Sequence, residues 1–263
     1  SFAGDGVVYQ TNQADTASGG AAEPAPVRRR LTLVLAVSGF TAMAYEVLWA
    51  RMLPLILGSS TYSFALMLAT FVTGVTLGSF AYNRFGARLG SPIRVVALAQ
   101  VAIGAWVLCT MPLYGWLPWP FVFVRTALSA SFGTYQAMAL VINSAVMFVP
   151  AVLFGLGFPA AVQAATGGRE SVSRAVGDLY AANTVGNVAG SLAAGLVLIP
   201  AIGTPYTFQL CAVANVISGL TTEPALITTL SPGRRLVVAV LAALLILPGF
   251  TRAWLHPLAI GGF

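Results

Sequence analysis

Apolar residues run along this chain in long blocks separated by short polar turns. They lack both the strict alternation of a half-buried strand and the single apolar stripe of a soluble helix. Crossing a bilayer takes about 20 helical residues at about 1.5 Å of rise each, and seven blocks are long or apolar enough for it. They cover residues 31–50, 63–82, 95–111, 135–159, 179–200, 206–220 and 236–250, the last two being short. The pattern predicts an all-α, polytopic transmembrane bundle of about seven spans. Residues 112–134 hold Tyr114, Trp116, Trp119, Phe121 and Phe123 among prolines, a composition suited to the membrane–water boundary, and are read as a segment at the outer face. An eighth span through 117–132 is the alternative.

Composition agrees with this pattern. The 263 residues are 58% hydrophobic and only 8% charged, against about 25% charged in an average soluble domain. All 13 basic residues are arginine. The absence of lysine removes Schiff-base chemistry and a phosphate-loop lysine. The single histidine, His256, offers little to a metal or haem site, and neither metal nor cofactor is expected. Cys109 and Cys211 fall inside predicted spans and read as small buried hydrophobes.

The net charge of +6 would point to nucleic acid in a soluble protein; here it reads as orientation. With the amino terminus inside and seven spans, Arg28, Arg29, Arg30, Arg84, Arg88, Arg94, Arg169, Arg174, Arg234 and Arg235 lie on the inner side. Arg51, Arg125 and Arg252 lie outside, so ten face three, as the positive-inside rule requires. An eighth span would bury Arg125 at a cost of about 2.5–3.5 kcal/mol and move four inner arginines outside. Residues 1–30, rich in small and polar types, read as a flexible cytoplasmic tail, and residues 251–263 as a short external one. The basic run comes late and leads into a full-length apolar block, which favours a retained anchor over a cleaved signal.

Glu46 is the acidic residue expected in the interior of a span, and an intramembrane carboxyl is costly enough to mark a candidate site. It could serve a proton or cation, with Tyr45 and Trp49 offering aromatic faces for cation–π contact. Equally, it could be protonated or paired to lock two helices. Arg51 lies five residues on, about 140° around the helix, so any partner must come from another helix. In the fifth span Ala182, Gly186, Gly190 and Ala194 repeat every four residues, a stripe that lets backbones approach. Asn183 and Asn187 form an adjacent stripe, read either as hydrogen-bonding across that interface or as lining a polar cavity. Asp178 sits near the inner boundary, where a helix amino terminus or Arg174 would favour it. Gly155, Gly157 and Ala160 formally match a dinucleotide-binding fingerprint, but they follow no strand and sit in an apolar block. Pro150 and Pro159 are expected to kink that helix while its glycines admit a neighbour.

Asn83-Arg84-Phe85-Gly86-Ala87-Arg88 resembles the basic turn after the second helix of major facilitator transporters, with Asn83 in place of that motif's acidic residue. Three longer stretches carry a broader resemblance: Gly39 to Arg51 with its Tyr-Glu-x-x-Trp-x-Arg core, continuing to Gly58-Ser59-Ser60; residues 150–159; and Leu179-Tyr180-Ala181-Ala182-Asn183-Thr184-Val185-Gly186 through Ile199-Pro200. Together they resemble the membrane domain of bacterial membrane-bound spermidine synthase-like proteins, fusions of a facilitator-like and a spermidine synthase part. The resemblance covers about residues 31–250. It implies a multi-pass protein of the bacterial inner membrane and transfers no catalytic residue, because no stretch reads as the accompanying soluble aminopropyltransferase domain. Three functions are compatible with these readings. The first is a non-catalytic membrane subunit or anchor that docks other membrane subunits. The second is a carrier for a cationic or polyamine-like solute using Tyr45, Glu46, Trp49 and Arg51. The third is the membrane part of a split aminopropyltransferase, the chain being a piece of a longer or divided protein. The bilayer and other membrane subunits are the expected partners, and nucleic acid is not.

Overall fold

The computed structural model describes residues 25–57, 61–117, 119, 131–166 and 172–228, which are helical apart from short turns and contain no strand. Helix α1 (Ala25–Leu57) is followed by α2 (Thr61–Phe85), α3 (Pro92–Thr110), α4 (Phe132–Asn143), α5 (Val149–Ala165), α6 (Val172–Leu192), α7 (Ile199–Thr222) and the single turn α8 (Ala225–Thr228). A π turn, Ser144–Phe148, fuses α4 to α5, and a second, Ala193–Leu198, fuses α6 to α7. Five continuous helical stretches are long and apolar enough to cross a membrane: Val27–Pro54, Thr61–Arg88, Pro92–Gly115, Gly133–Ala165 and Ser173–Thr222.

The last stretch holds 50 residues and would be about 75 Å long if straight. It is not straight: Gly203 adopts φ +82°, ψ 164° and reverses the chain, and only glycine takes up that backbone region without strain. Asn187 on α6 and Asn215 on α7 both meet α1 near its midpoint, at Gly39 and at Thr41, so the two arms run back along the same helix. Six of the seven predicted blocks therefore coincide with helical rods. The seventh, 236–250, lies outside the described residues, as do residues 118 and 120–130 of the aromatic segment.

Helix starts follow local chemistry. Gly90, at φ +90°, ends the turn after α2, and Ser91-Pro92 then opens α3 with proline in the first turn, where its missing N–H costs nothing. Ser131 caps α4 by accepting from the Thr134 amide at 3.3 Å. The prolines inside α5 leave carbonyls unpaired, which lipid cannot satisfy. Pro150 cannot donate to Val146, whose carbonyl instead accepts from Trp106 Nε1 at 3.1 Å. Pro159 likewise frees the Gly155 carbonyl, and Ser79 Oγ donates to it at 2.8 Å. Each break in one rod thus becomes a tie to another, and the expected kink positions become cross-links.

Three close helix pairs organise the bundle. Gly186 and Gly190 of α6 lie directly against the Ala36 and Phe40 backbone of α1. Gly74 and Gly78 of α2 meet Ala151 and Val152, while Gly155 meets Val75. Gly104 of α3 meets Ala212 of α7, and Gly219 meets Ala97. Residue numbers rise together in the first two pairs, which are parallel, and run oppositely in the third. This is the sense expected if successive rods alternate in direction. That alternation puts Arg28, Arg29, Arg30, Arg84, Arg88, Arg94 and Arg174 at one end of the bundle and Arg51 at the other.

Three expectations change. The predicted tail ran to residue 30, but α1 begins at Ala25, so Arg28, Arg29 and Arg30 sit in its first turns. Tyr114, expected at the outer boundary, is fully buried beneath the end of α3; Trp116 and Trp119 are exposed, as a boundary belt requires. Cys211 is buried, but Cys109 is exposed on the outside of the bundle. That site faces lipid at no penalty, because a thiol behaves as a small apolar group.

A side chain at position 190 would run into the Phe40 carbonyl, whereas a Cβ at Gly157 meets nothing within 4 Å. Gly190→Leu is expected to cost at least about 2 kcal/mol through overpacking, and Gly157→Ala to stay within about 0.5 kcal/mol of the parent. Denaturant-induced unfolding in detergent micelles measures both.

Candidate functional site

The predicted cluster on α1 divides between two faces. Leu31, Val34, Leu35, Ser38, Thr41, Ala44, Tyr45, Leu48, Trp49, Met52 and Leu53 are buried, a repeat of three and four residues that presents one face of α1 to the bundle. Tyr45 and Trp49 belong to this face and are completely buried. Their rings stack at 5.4 Å, and Phe208 of α7 packs 6.0 Å from Tyr45, 6.2 Å from Trp49 and 5.6 Å from Tyr114. Phe154 of α5 lies 6.3 Å from Tyr45 on another side. Four helical stretches thus meet in one aromatic cluster, whose ring contacts contribute beyond area burial.

Polar atoms in this cluster are tied across helices. Thr41 Oγ1 donates to Asn215 Oδ1 at 2.8 Å, Asn215 Nδ2 donates to the Tyr45 hydroxyl at 3.1 Å, and Trp49 Nε1 donates to the Tyr114 hydroxyl at 3.1 Å. Asn215, Tyr114 and Phe208 are the residues that sequence reasoning missed. The available signal was an amide inside the apolar block 206–220 and a tyrosine beside the prolines of the aromatic segment.

Glu46 follows Tyr45 by about 100° of helix rotation and is half-buried rather than core-facing. Among the described residues no hydrogen bond or ion pair reaches its carboxyl. The expected cation site with Tyr45 and Trp49 as aromatic walls is not assembled: those rings are consumed by the core. Arg51 is exposed. Glu46 instead shares a helical face with Ala42 and Met43, one turn away, and these two residues line a cavity of about 290 Å³ bounded by α1, α2, α5 and α6.

Asn183 and Asn187, with Ser38 and Tyr180, give that cavity its polar wall, and Phe71 and Phe154 its aromatic one. Of the two alternatives for the asparagine stripe the cavity one is met: the residues lie against Gly39 and border the open space, and among the described residues neither side chain makes a hydrogen bond across to α1. In the small-residue stripe, Gly186, Gly190 and Ala194 are buried and Ala182 is half-buried. The stripe is spent on α1 inside the chain and is not offered to another protein. Asp178 pairs with Arg28 at 3.6 Å, not with Arg174, and both side chains are nearly half exposed, a geometry worth at most about 1 kcal/mol. Gln100 and Asn143 are further buried amides, and the Asn143 amide, next to the first π turn, lacks any partner.

No family model, curated protein or solved structure matches the chain. Five helical stretches among the described residues are long and apolar enough to cross a membrane, which fits a membrane helical bundle.

Replacing Asn215 by Leu removes both of its hydrogen bonds and strands the buried Tyr45 hydroxyl, while Thr41 Oγ1 keeps the Val37 and Ser38 carbonyls as acceptors. The expected loss is about 1–2 kcal/mol. Tyr45→Phe, which deletes one acceptor and keeps the ring stack, should lose less than half of that. Unfolding of both variants by steric trapping in micelles measures the difference.

Proposed function

We propose that the chain is a multi-pass protein of the bacterial inner membrane with its arginine-rich end in the cytoplasm. There it serves as a non-catalytic membrane subunit or anchor that docks other subunits. The observation that carries this reading is how the polar side chains in the core are used. Thr41, Asn215, Tyr45, Trp49 and Tyr114 tie α1 to α7 and to the turn that follows α3, and glycine contacts clamp the three helix pairs. A bundle locked at these points behaves as a fixed body, suited to holding a partner. α6 adds an outward ridge of Tyr180, Val185, Val188 and Leu192, all exposed. The small-residue stripe being occupied by α1, that ridge is the surface of α6 left for docking. The resemblance to membrane-bound spermidine synthase-like proteins is kept as part of this proposal.

One observation favours a second reading, a carrier for a cationic or polyamine-like solute: the asparagine-lined cavity lies one helical turn from an unpartnered Glu46. An intramembrane carboxyl beside an open space is the feature such a carrier needs. Tyr45 and Trp49 then act as packing, not as ligand walls.

Mass analysis of the assembly extracted from native membranes in mild detergent separates the two readings. The subunit reading expects stoichiometric partner chains, and recovery of the chain alone from intact membranes overturns it. The carrier reading expects Glu46→Gln to fold as the parent and to lose at least about tenfold of solute uptake in vesicles; parental uptake in that variant removes it.

A further inference from the structure

At the arginine-rich end, α1 forms a ridge with a groove on each side. Leu33, 59% exposed, forms its crest and lines both grooves. On one flank Arg30, Val34 and Val37 face Ala214, Ile217 and Ser218 of α7 across a trough of about 690 Å³. These residues recur at three- and four-residue intervals on two antiparallel helices, so the trough runs from the guanidinium of Arg30 towards the bundle centre. On the other flank Arg28, Arg29 and Thr32 face Asp178 and Ala181 of α6 around about 460 Å³.

The charges at this end are unevenly used. Arg28 is engaged by Asp178. Arg29 and Arg30 are exposed and make no ion pair with a described residue. Arg174 lies one turn before Asp178, and Glu223 is the remaining described carboxylate nearby, beside the groove residues Thr222 and Pro224. Four guanidiniums therefore stand against two carboxylates. In the α7 trough the Ser218 hydroxyl is buried without a partner.

We propose that this end of α1 holds an anionic phospholipid, its phosphate on Arg29 and Arg30 and an acyl chain beside Leu33 in the α7 trough, the groove on the other flank being too polar for hydrocarbon. The guanidinium fork matches phosphate oxygens, and Leu33, Val34, Val37, Ala214 and Ile217 offer the apolar walls an acyl chain needs. The site rests on the membrane reading alone and holds whichever of the two functions above is correct.

The test uses the full chain in vesicles of phosphatidylcholine containing phosphatidylglycerol, with native mass spectrometry counting the lipids that stay bound. The parent is expected to retain phosphatidylglycerol over phosphatidylcholine by about tenfold or more. Arg29→Gln with Arg30→Gln should bring that preference to near unity. Arg29→Lys with Arg30→Lys, which keeps the charge and loses the fork, should fall between the parent and the glutamine variant and shows that the fold survives changes at these positions. Ala214→Phe fills the α7 trough without altering charge and should shorten retention of the bound lipid several-fold. Unchanged preference in the glutamine variant, or unchanged retention in Ala214→Phe, overturns the proposal. So does efficient disulfide formation between Ala214→Cys and Val240→Cys in a background lacking Cys109 and Cys211, because the chain's own 236–250 segment would then occupy the trough.

Discussion

Backbone-to-backbone contact between helices, made possible by missing Cβ atoms, is the constraint on which this bundle depends. In lipid no water-driven force gathers apolar helices, since hydrocarbon solvates leucine as well as another leucine does. Close approach, with its dispersion energy and weak polar contacts, has to supply the association. Gly186 and Gly190, Gly78 and Gly155, and Gly104 and Gly219 each bring a helix onto its neighbour's main chain, one set for each of the three principal pairs. Larger residues at these positions would hold the rods apart and enlarge the spaces between them.

A second constraint is that every main-chain polar group in the apolar zone needs a partner. Pro150 and Pro159 would break that rule, and the side chains of Trp106 and Ser79 restore it from the adjacent helices. The same economy explains the buried tie of Thr41, Asn215 and Tyr45, which are bound across helices, while core hydroxyls such as Thr110 and Thr222 donate back to carbonyls of their own helix. Polar atoms in this protein act as fasteners, and the fasteners concentrate along α1 and α7. Glu46 and the asparagines of α6 depart from that pattern, which is why the cavity beside them carries the second functional reading.

Physical asymmetry between the two ends follows from the helix senses. Parallel contact of α1 with α6 and of α2 with α5, and antiparallel contact of α3 with α7, bring seven described arginines to one face and leave Arg51 at the other. A chain without lysine thus concentrates guanidinium groups, with their fork-like affinity for phosphate, where one surface of a bilayer would lie. Leu33 and the trough it shares with α7 give that charge an apolar continuation.

The sequence by itself determined the helical class, six rods with bounds up to about eight residues off, the segregation of arginine and the glycine stripe on α6. Each of these is a local property: block length, composition and four-residue spacing. It could not show which face of α1 turns inward, because an apolar helix in lipid carries little amphipathic signal, and Tyr45, Glu46 and Trp49 therefore read as one site. Tertiary packing separated them. The close pairing of α1 with α6 and the reversal at Gly203 bring Phe208 onto Tyr45 and Trp49 and Asn215 onto Tyr45, leaving Glu46 on the face it shares with the cavity residues Ala42 and Met43. Contacts between residues some 170 positions apart depend on how whole rods cross, and no local spacing encodes that.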